Sequence, residues 1–170
     1  MAKDRNKEEF LDILENNIGI IIKISGAYAQ IKQDREDLIN DIIFELWKSY
    51  TSFQGNSKIS TWIYRVTLNI SMNYKRKNIK KPVFSSLNEL KQNDISIWLQ
   101  TGQYDFSELE ILYNCIDKLN EMNKAIILLY LDGNSYDEIS EITGITKTNV
   151  GTRINRIKEE IRNLATSKNK

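Results

Sequence analysis

Histidine is absent from this sequence of 170 residues, and cysteine and proline occur once each. The lack of His removes the commonest general base, and the single thiol, Cys115, excludes an internal disulfide and a Cys/His zinc site. The longest uncharged run has ten residues, and a run of this length is too short for a membrane-spanning helix. The charged segment 1–9 lacks the apolar core of a signal peptide, so we expect a cytoplasmic protein. Nothing in this inventory favours an enzyme, a cofactor or a resident metal ion.

Positive charge is concentrated in two parts of the chain, although the net charge is only +1. Residues 1–81 carry a net charge of +4 and residues 142–170 one of +5, whereas residues 82–107 and 108–141 carry −2 and −6. Phosphate binding depends on the local density of Lys and Arg. The distribution therefore allows two separate nucleic-acid contacts, with an ordinary solvated surface as the alternative.

Apolar residues recur at three- and four-residue spacing through most of the chain, and alternating β-branched runs with hairpin dipeptides are missing. This periodicity predicts an all-α fold. The only proline, Pro82, opens a segment rich in Ser, Asn and Gln, and Pro disfavours helix at the residue before it. We therefore predict two small helical domains, residues 1–81 and 108–170, joined by a linker at residues 82–107. Four large apolar residues within 95–99 suggest that part of this linker docks on another surface.

Two segments have the start signal of a helix. Ser107 precedes Glu110, and Ser135 precedes Glu138, at the spacing where a hydroxyl and a carboxylate satisfy otherwise unpaired helix amides. We therefore predict that helices begin directly after Ser107 and directly after Ser135.

The segment 135–157 has the pattern of a helix-turn-helix motif. A short helix would end at Gly144, which suits a left-handed turn, Ile145 would enter the core, and Thr146 would cap a second helix. The inward stripe of that second helix is Val150, Ile154 and Ile157. Its outward side chains are donors and acceptors suited to base edges and phosphates: Lys147, Thr148, Asn149, Thr152, Arg153, Asn155 and Arg156. The alternative is a helical hairpin with a polar outer face.

The segment 34–50 is predicted to form a helix with an acidic side. Four carboxylates share that side: Asp34, Asp37, Asp41 and Glu45. The apolar side is formed by Ile39, Ile43, Leu46, Trp47 and Tyr50. Like charges at four-residue spacing cost roughly 0.2–0.5 kcal/mol per pair, so this acidic stripe predicts a cationic partner. A metal site is a weaker alternative because such helical carboxylate sites usually include His, and a solvated face is the third.

The segment 52–69 and the basic run that begins at Lys75 have the composition of a single-strand nucleic-acid site. Amide side chains suit base edges, aromatic rings suit stacking, and Lys and Arg suit phosphates. An aromatic residue on a helix is more often part of the core than a stacking platform, and we predict a core position for Trp62.

These motifs together resemble a known family. The segments DREDLIND (34–41), LWKSYTSF (46–53) and STWIYRV (60–66) resemble region 2 of the extracytoplasmic-function (ECF) sigma factors of bacterial RNA polymerase, which belong to the sigma-70 family. Residues 119–161, especially SYDEI (135–139) and NVGTRINR (149–156), resemble their region 4. The resemblance covers nearly the whole chain in the family's order.

The resemblance implies a promoter-specificity subunit and not an enzyme. Its partners would be promoter DNA and core RNA polymerase, including the clamp helices of the large subunit and the flap, with an anti-sigma factor as a further candidate. The acidic stripe would dock on the clamp helices, residues 147–156 would read the duplex −35 element, and the linker would run toward the RNA exit path. The candidates for the melted −10 element are Gln54, Asn56, Ser57, Lys58, Trp62, Arg65, Asn69, Lys75, Arg76 and Lys77. A pocket for a flipped base both melts and reads DNA, so opening would draw on binding energy alone.

Three positions depart from the family's pattern. Asn120 stands where Pro is usual, which predicts a softer helix start. Gly151 replaces a common Lys or Arg, costs about 1 kcal/mol of helix propensity relative to Ala, and suggests a close backbone approach to DNA. Asn149 replaces a common Thr, so the −35 preference cannot be copied from other members.

Two other functions compete with this one. A stand-alone helix-turn-helix regulator would bind a two-fold symmetric operator as a dimer without polymerase. A helical module that binds no DNA would use its basic segments only as surface. The acidic stripe and the polar loop favour the sigma factor, because a simple repressor needs neither.

Overall fold

The structure, a computed structural model, describes residues 2–78 and 106–167, and each element in these ranges is an α-helix. The predicted all-α fold is thereby confirmed. The helices are α1 Ala2–Tyr28, α2 Lys32–Tyr50, α3 Ile59–Asn78, α4 Phe106–Ile116, α5 Glu121–Leu131, α6 Tyr136–Thr143 and α7 Lys147–Ser167. Packing divides the chain into two compact units, here called the N-terminal unit (within 1–82) and the C-terminal unit (within 83–170). The predicted linker lies outside the described residues, except that residues 106 and 107 already belong to α4.

The N-terminal unit is a bundle in which α1, α2 and α3 each pack on the other two. Its core residues recur at helical spacing, so each helix presents one apolar stripe to its neighbours. The stripe of α2 is Leu38, Ile42 and Leu46. The predicted apolar side of α2 was wrong, because the buried stripe lies about one position earlier in the sequence. Ile39 and Ile43 are only half-buried and Trp47 is exposed.

The C-terminal unit is organised around α7, which packs on α4, α5 and α6. The predicted stripe of α7 is confirmed, since Val150, Ile154 and Ile157 are fully buried. Ile139 and Ile142 bury the inner face of α6 beneath it. Ile145 is half-buried, so its predicted core position was wrong. The turn that contains it leaves that side chain at the edge of the unit.

The helix starts agree only in part with the sequence signals. At α6 the predicted capping box is present: the Ser135 amide donates to Glu138 Oε2 at 2.8 Å and the Glu138 amide to Ser135 Oγ at 3.2 Å. The prediction for Ser107 was wrong, because α4 begins at Phe106 and therefore already contains Ser107. At the start of α5, where the sequence predicts a softer boundary, the Asn120 side chain caps the helix by accepting from the Asn123 amide at 2.9 Å.

None of the helices within 2–78 and 106–167 combines the length and apolar character needed to cross a membrane.

Candidate functional site

The acidic stripe of α2 divides into two pairs in the structure. Asp37 and Asp41 are exposed, whereas Asp34 and Glu45 are half-buried at the edge of the core stripe. The division follows from helical geometry, because residues 34 and 45 stand next to the buried positions 38, 42 and 46 on the helix surface. Only Asp37 and Asp41 therefore offer their carboxylates fully to a partner.

Asp34 has a role inside the N-terminal unit. It accepts a hydrogen bond from the hydroxyl of Tyr74 on α3. Partial burial, this bond and the charges of Asp34 and Asp37 raise the pKa of Tyr74 to about 12. The contact joins α2 to α3, so Asp34 fixes the helix that carries the exposed carboxylates.

Phe44 is the most exposed large apolar residue of the unit, at 66%. It lies seven residues after Asp37 and three after Asp41, which places all three on one face of α2. The sequence pattern does not reveal Phe44 as an exposed residue, because a lone Phe in a helical pattern is ordinarily assigned to the core. This face, called the docking face below, combines two carboxylates with one exposed aromatic ring.

The loop between α2 and α3 rests on a cluster of aromatic rings. The ring of Trp62 lies 5.0 Å from that of Phe53 and 6.3 Å from that of Tyr50. Phe10 of α1 extends the cluster, with its centroid 5.4 Å from Tyr50. Trp62 is half-buried, so its predicted core position is correct for part of the ring only. The cluster anchors both ends of the loop to the bundle.

The tip of this loop is polar and open. Gly55 has a φ of +70°, a left-handed conformation that favours glycine. Its neighbours Gln54 and Asn56 are exposed, as is Lys58, whereas Ser57 is half-buried. The loop therefore presents two amide side chains on a backbone held by the aromatic cluster.

One face of α3 gathers most of the other −10 candidates. Trp62, Arg65, Asn69 and Arg76 recur at three, four and seven residues, and all but Trp62 are exposed. Lys77 is exposed on a neighbouring face and Lys75 is half-buried. Asn73, which is not among the sequence-predicted candidates, is exposed one turn after Asn69. The four-residue spacing between Asn69 and Asn73 places both side chains on one helix face, and this spacing could have predicted Asn73 as a candidate.

The turn of the predicted helix-turn-helix motif has the expected conformation. Gly144 ends α6 with a φ of +75° and donates its amide to the Ser140 carbonyl at 2.9 Å. Thr146 precedes α7, and its hydroxyl accepts from the Asn149 amide at 3.4 Å. Both predictions are confirmed, and together they fix the direction in which α7 leaves the turn.

All seven candidates on α7 are exposed. Four of them, Asn149, Thr152, Arg153 and Arg156, line a depression together with Asn123 and the turn residues Gly144, Ile145 and Thr146. Lys147 is ion-paired with Asp137 of α6 at 2.8 Å. An exposed pair of this kind contributes between about 0 and 1 kcal/mol, so Lys147 can exchange its partner for a phosphate at little cost.

Gly151 faces the protein, contrary to the close approach to DNA suggested by the sequence. A Cβ at this position would lie 3.3 Å from Cε2 of the Tyr136 ring. Gly151 is half-buried there, whereas the candidates on α7 are exposed. The glycine therefore accommodates a ring of α6.

Asn123 is a component of the depression that sequence reasoning missed. Its Oδ1 accepts from Nη1 of Arg153 at 3.1 Å. The two residues are thirty positions apart, so no local pattern connects them. Elsewhere within the described ranges, no group of three or more His, Cys, Asp or Glu residues is arranged to hold a metal ion.

Comparison with known families identifies both units. The model of sigma-70 region 2 matches residues 13–80, and the model of sigma-70 region 4 matches residues 109–161. The ECF RNA polymerase sigma-E factor of Haemophilus influenzae is 30% identical over 152 residues, which are 83% of this chain and 80% of the relative. That of Escherichia coli K12 is 27% identical over 139 residues, covering 76% and 73%.

The chain therefore belongs to the sigma-70 family, as an ECF sigma factor of RNA polymerase. Sigma factors act in transcription initiation, and core RNA polymerase and promoter DNA are the partners that this membership entails. Membership of this family excludes both alternative functions, the stand-alone regulator and the module that binds no DNA.

Solved structures support the fold. CnrH, solved in complex with the cytosolic domain of CnrY, matches with a TM-score of 0.68 and 16% identity, over 95% of this chain and 90% of its own. RpoE from Bartonella quintana, solved with the anti-sigma factor NepR, matches with a TM-score of 0.63 and 20% identity, over 94% and 96%.

Proposed function

We propose that this sigma factor docks on the clamp helices of the polymerase's large subunit through the docking face of α2, reads the melted −10 element with α3 and its preceding loop, and reads the duplex −35 element with α7. In this proposal residues 1–81 and 108–170 act as two DNA-contacting domains and residues 82–107 as their linker. The observation that carries it is the exposure of all seven candidates on α7, the helix that follows the left-handed turn at Gly144.

The docking face suits a cationic helical partner with some apolar surface. Asp37 and Asp41 repel each other in the free protein, and a Lys- or Arg-bearing partner relieves that repulsion. Phe44 adds exposed apolar area that docking would remove from water, which is favourable at about 25 cal/mol per Å². Asp34 and Glu45 border this face, and the Tyr74 bond makes Asp34 a support for α2.

The −10 contact would use the loop tip and the exposed face of α3. A base that leaves the stack needs amide groups for its edge and a surface for its ring. Gln54 and Asn56 supply amides at the tip, and Asn69 supplies another on α3. Arg65 and Arg76 lie on the same face as Asn69 and suit the phosphates on either side of the flipped base.

The −35 contact would place α7 in the major groove. Arg153 and Arg156 bring two cations to the depression, and Asn149 and Thr152 bring neutral hydrogen-bonding groups. The Thr152 hydroxyl donates to the Thr148 carbonyl at 3.1 Å, so its oxygen remains an acceptor. Such a mixture of phosphate and base-edge groups is typical of recognition helices.

The protein would perform no chemistry of its own. Strand opening costs a few kcal/mol per unstacked base, and binding of the flipped base would supply it. We expect the protein to act in the cytoplasm, where the polymerase is. Because CnrH and RpoE were solved with CnrY and an anti-sigma factor, an anti-sigma factor is also proposed as a partner here.

The test is a reconstitution of core polymerase with the full chain, measured as transcription from genomic fragments. Asp37→Arg with Asp41→Arg should reduce initiation by about tenfold or more, because it sets like charges against a cationic partner. Asp12→Arg with Glu15→Arg makes the same charge change at exposed positions of α1 and should leave initiation unchanged. If both double variants initiate like wild type, the docking assignment is wrong.

The same reconstitution tests the −10 assignment. Asn69→Ala should reduce the yield of open complexes by roughly fivefold or more, as for loss of one base contact, while duplex binding stays constant. Permanganate reactivity of unpaired thymines measures the opening. Asn16→Ala, an exposed Asn on α1, is the matched control. An unchanged open-complex yield would remove Asn69 from the site.

A further inference from the structure

A hydrogen bond in the C-terminal unit connects α7 to the first turn of α5. Arg153 Nη1 donates to Asn123 Oδ1 at 3.1 Å, and both side chains line the depression beside the turn. We infer that Asn123 is a positioning residue for Arg153, which it holds ready for promoter DNA. The inference rests on the proposed role of α7 and adds a residue outside the helix-turn-helix motif.

The side chain of Asn123 is not needed to start α5. The Asn120 side chain caps the helix by accepting from the backbone amide of Asn123, and any residue at position 123 supplies that amide. Asn123 is half-buried and stands in the first turn, where alanine is a good helix former. The side chain is therefore free to hold Arg153, and its loss should leave the fold intact.

Holding Arg153 matters because its side chain is long and otherwise mobile. A guanidinium group has five N–H donors in one plane, and the bond to Asn123 uses one of them. The remaining donors then keep a fixed direction before DNA arrives. Ordering a free side chain at the moment of binding would weaken the affinity by about two- to tenfold.

Asn123 also acts on the charge of the depression. Arg153 and Arg156 stand three residues apart on α7, so the two cations are neighbours on the helix surface. The side-chain oxygen of Asn123, Oδ1, is the negative end of the amide dipole, and it contacts the Arg153 guanidinium from α5. This contact stabilises the two neighbouring cations. Because the amide is neutral, it does not repel DNA phosphates as a carboxylate would.

The test measures the affinity of reconstituted holoenzyme for a labelled duplex that carries a −35 element but no −10 element, chosen by wild-type holoenzyme from a randomised pool. Asn123→Ala, Arg153→Ala and the double variant are compared with wild type. We expect about two- to tenfold weaker binding for Asn123→Ala, a larger loss for Arg153→Ala, and no further loss in the double variant. Thermal unfolding of Asn123→Ala should match wild type.

The salt dependence of DNA affinity and a control variant distinguish a positioning role of Asn123 from a direct charge contact with DNA. Asn123→Ala removes no charge, so the slope of log affinity against log salt should stay constant, whereas Arg153→Ala should reduce it by about one unit. Asn163→Ala, at an exposed position farther along α7, should change neither affinity nor slope.

The outcomes distinguish the inference from the function on which it rests. If Arg153→Ala binds like wild type, the proposed role of α7 at this position fails and the inference fails with it. If Arg153→Ala binds weakly but Asn123→Ala binds like wild type, only the inference is overturned. An equal loss from Asn123→Ala in the presence and absence of Arg153 would also overturn it, because Asn123 would then contact DNA itself.

Discussion

The ion pair between Asp117 and Lys124 should respond very differently to the loss of either partner. Lys124 on α5 is 3% exposed, and its Nζ lies 3.1 Å from Oδ1 of Asp117, which is 31% exposed in the segment between α4 and α5. Asp117→Asn removes a negative charge beside a buried ammonium group. Lys124→Met instead removes the buried charge and keeps a long apolar side chain.

The magnitude follows from burial. Removing one partner of a fully buried pair costs about 3–5 kcal/mol, and the partial exposure of Asp117 lowers this to about 2 kcal/mol. In a domain of this size each kcal/mol shifts Tm by about 4–8 °C. Asp117→Asn should therefore lower the Tm of the C-terminal unit by roughly 10 °C, and Lys124→Met by less than about 5 °C.

Calorimetry of the full chain measures these shifts, and hydrogen exchange of the α5 amides assigns the transition to the C-terminal unit. The control is Asp137→Asn, because Asp137 and Lys147 are closer, at 2.8 Å, but 71% and 61% exposed. That variant should lower Tm by less than about 5 °C. If it lowers Tm as much as Asp117→Asn, distance and not burial governs the pair, and the reasoning is refuted.

Two further predictions concern single side chains. The pKa of Tyr74 is raised from 10.0 to about 12 by partial burial and by its bond to Asp34, so this bond stabilises the protein fully below about pH 10 and is lost as the pH rises toward about 12. The stability difference between wild type and Tyr74→Phe in urea should therefore shrink across that range, and a constant difference would contradict the assignment. Gly151→Ala should be nearly neutral, because a gain of about 1 kcal/mol in helix propensity is offset by contact with Tyr136. In a Tyr136→Ala background it should stabilise by about 1 kcal/mol, and equal shifts in Tm in both backgrounds would show that the ring exerts no constraint.

Most of the C-terminal unit could be predicted because its signals are local. A capping box, a left-handed glycine and a stripe at three- and four-residue spacing act over one or two helical turns, and each is present as expected at Ser135, Gly144 and Val150. The helix start predicted directly after Ser107 was wrong because the signal specifies only one turn, and α4 begins two residues before the predicted position, at Phe106. Because these signals are local, the sequence predicts which side chains lie on the outward face of α7. It does not predict that Arg153 on this face contacts Asn123 of α5.

Contacts between distant residues account for what the sequence did not reveal. Asp34 has the same spacing as Asp37 and Asp41, yet its carboxylate accepts from Tyr74, forty residues later on another helix. Arg153 likewise contacts Asn123, thirty residues earlier. Spacing determines which residues share a face, but neighbouring helices determine which members of that face remain open to a partner.

The −10 candidates differ in whether they also support the fold, and this decides which substitutions isolate recognition. Trp62 packs against Phe53 at 5.0 Å, so its replacement by Ala would cost stability and shift the loop that carries Gln54 and Asn56. Loss of promoter opening in that variant would not separate stacking on DNA from support of the loop. Gln54 and Asn56 are exposed and contribute little to the core, so their substitution changes the candidate contacts while the aromatic cluster remains in place. Recognition by this unit is therefore tested at the loop tip and at Asn69, and not at the ring beneath them.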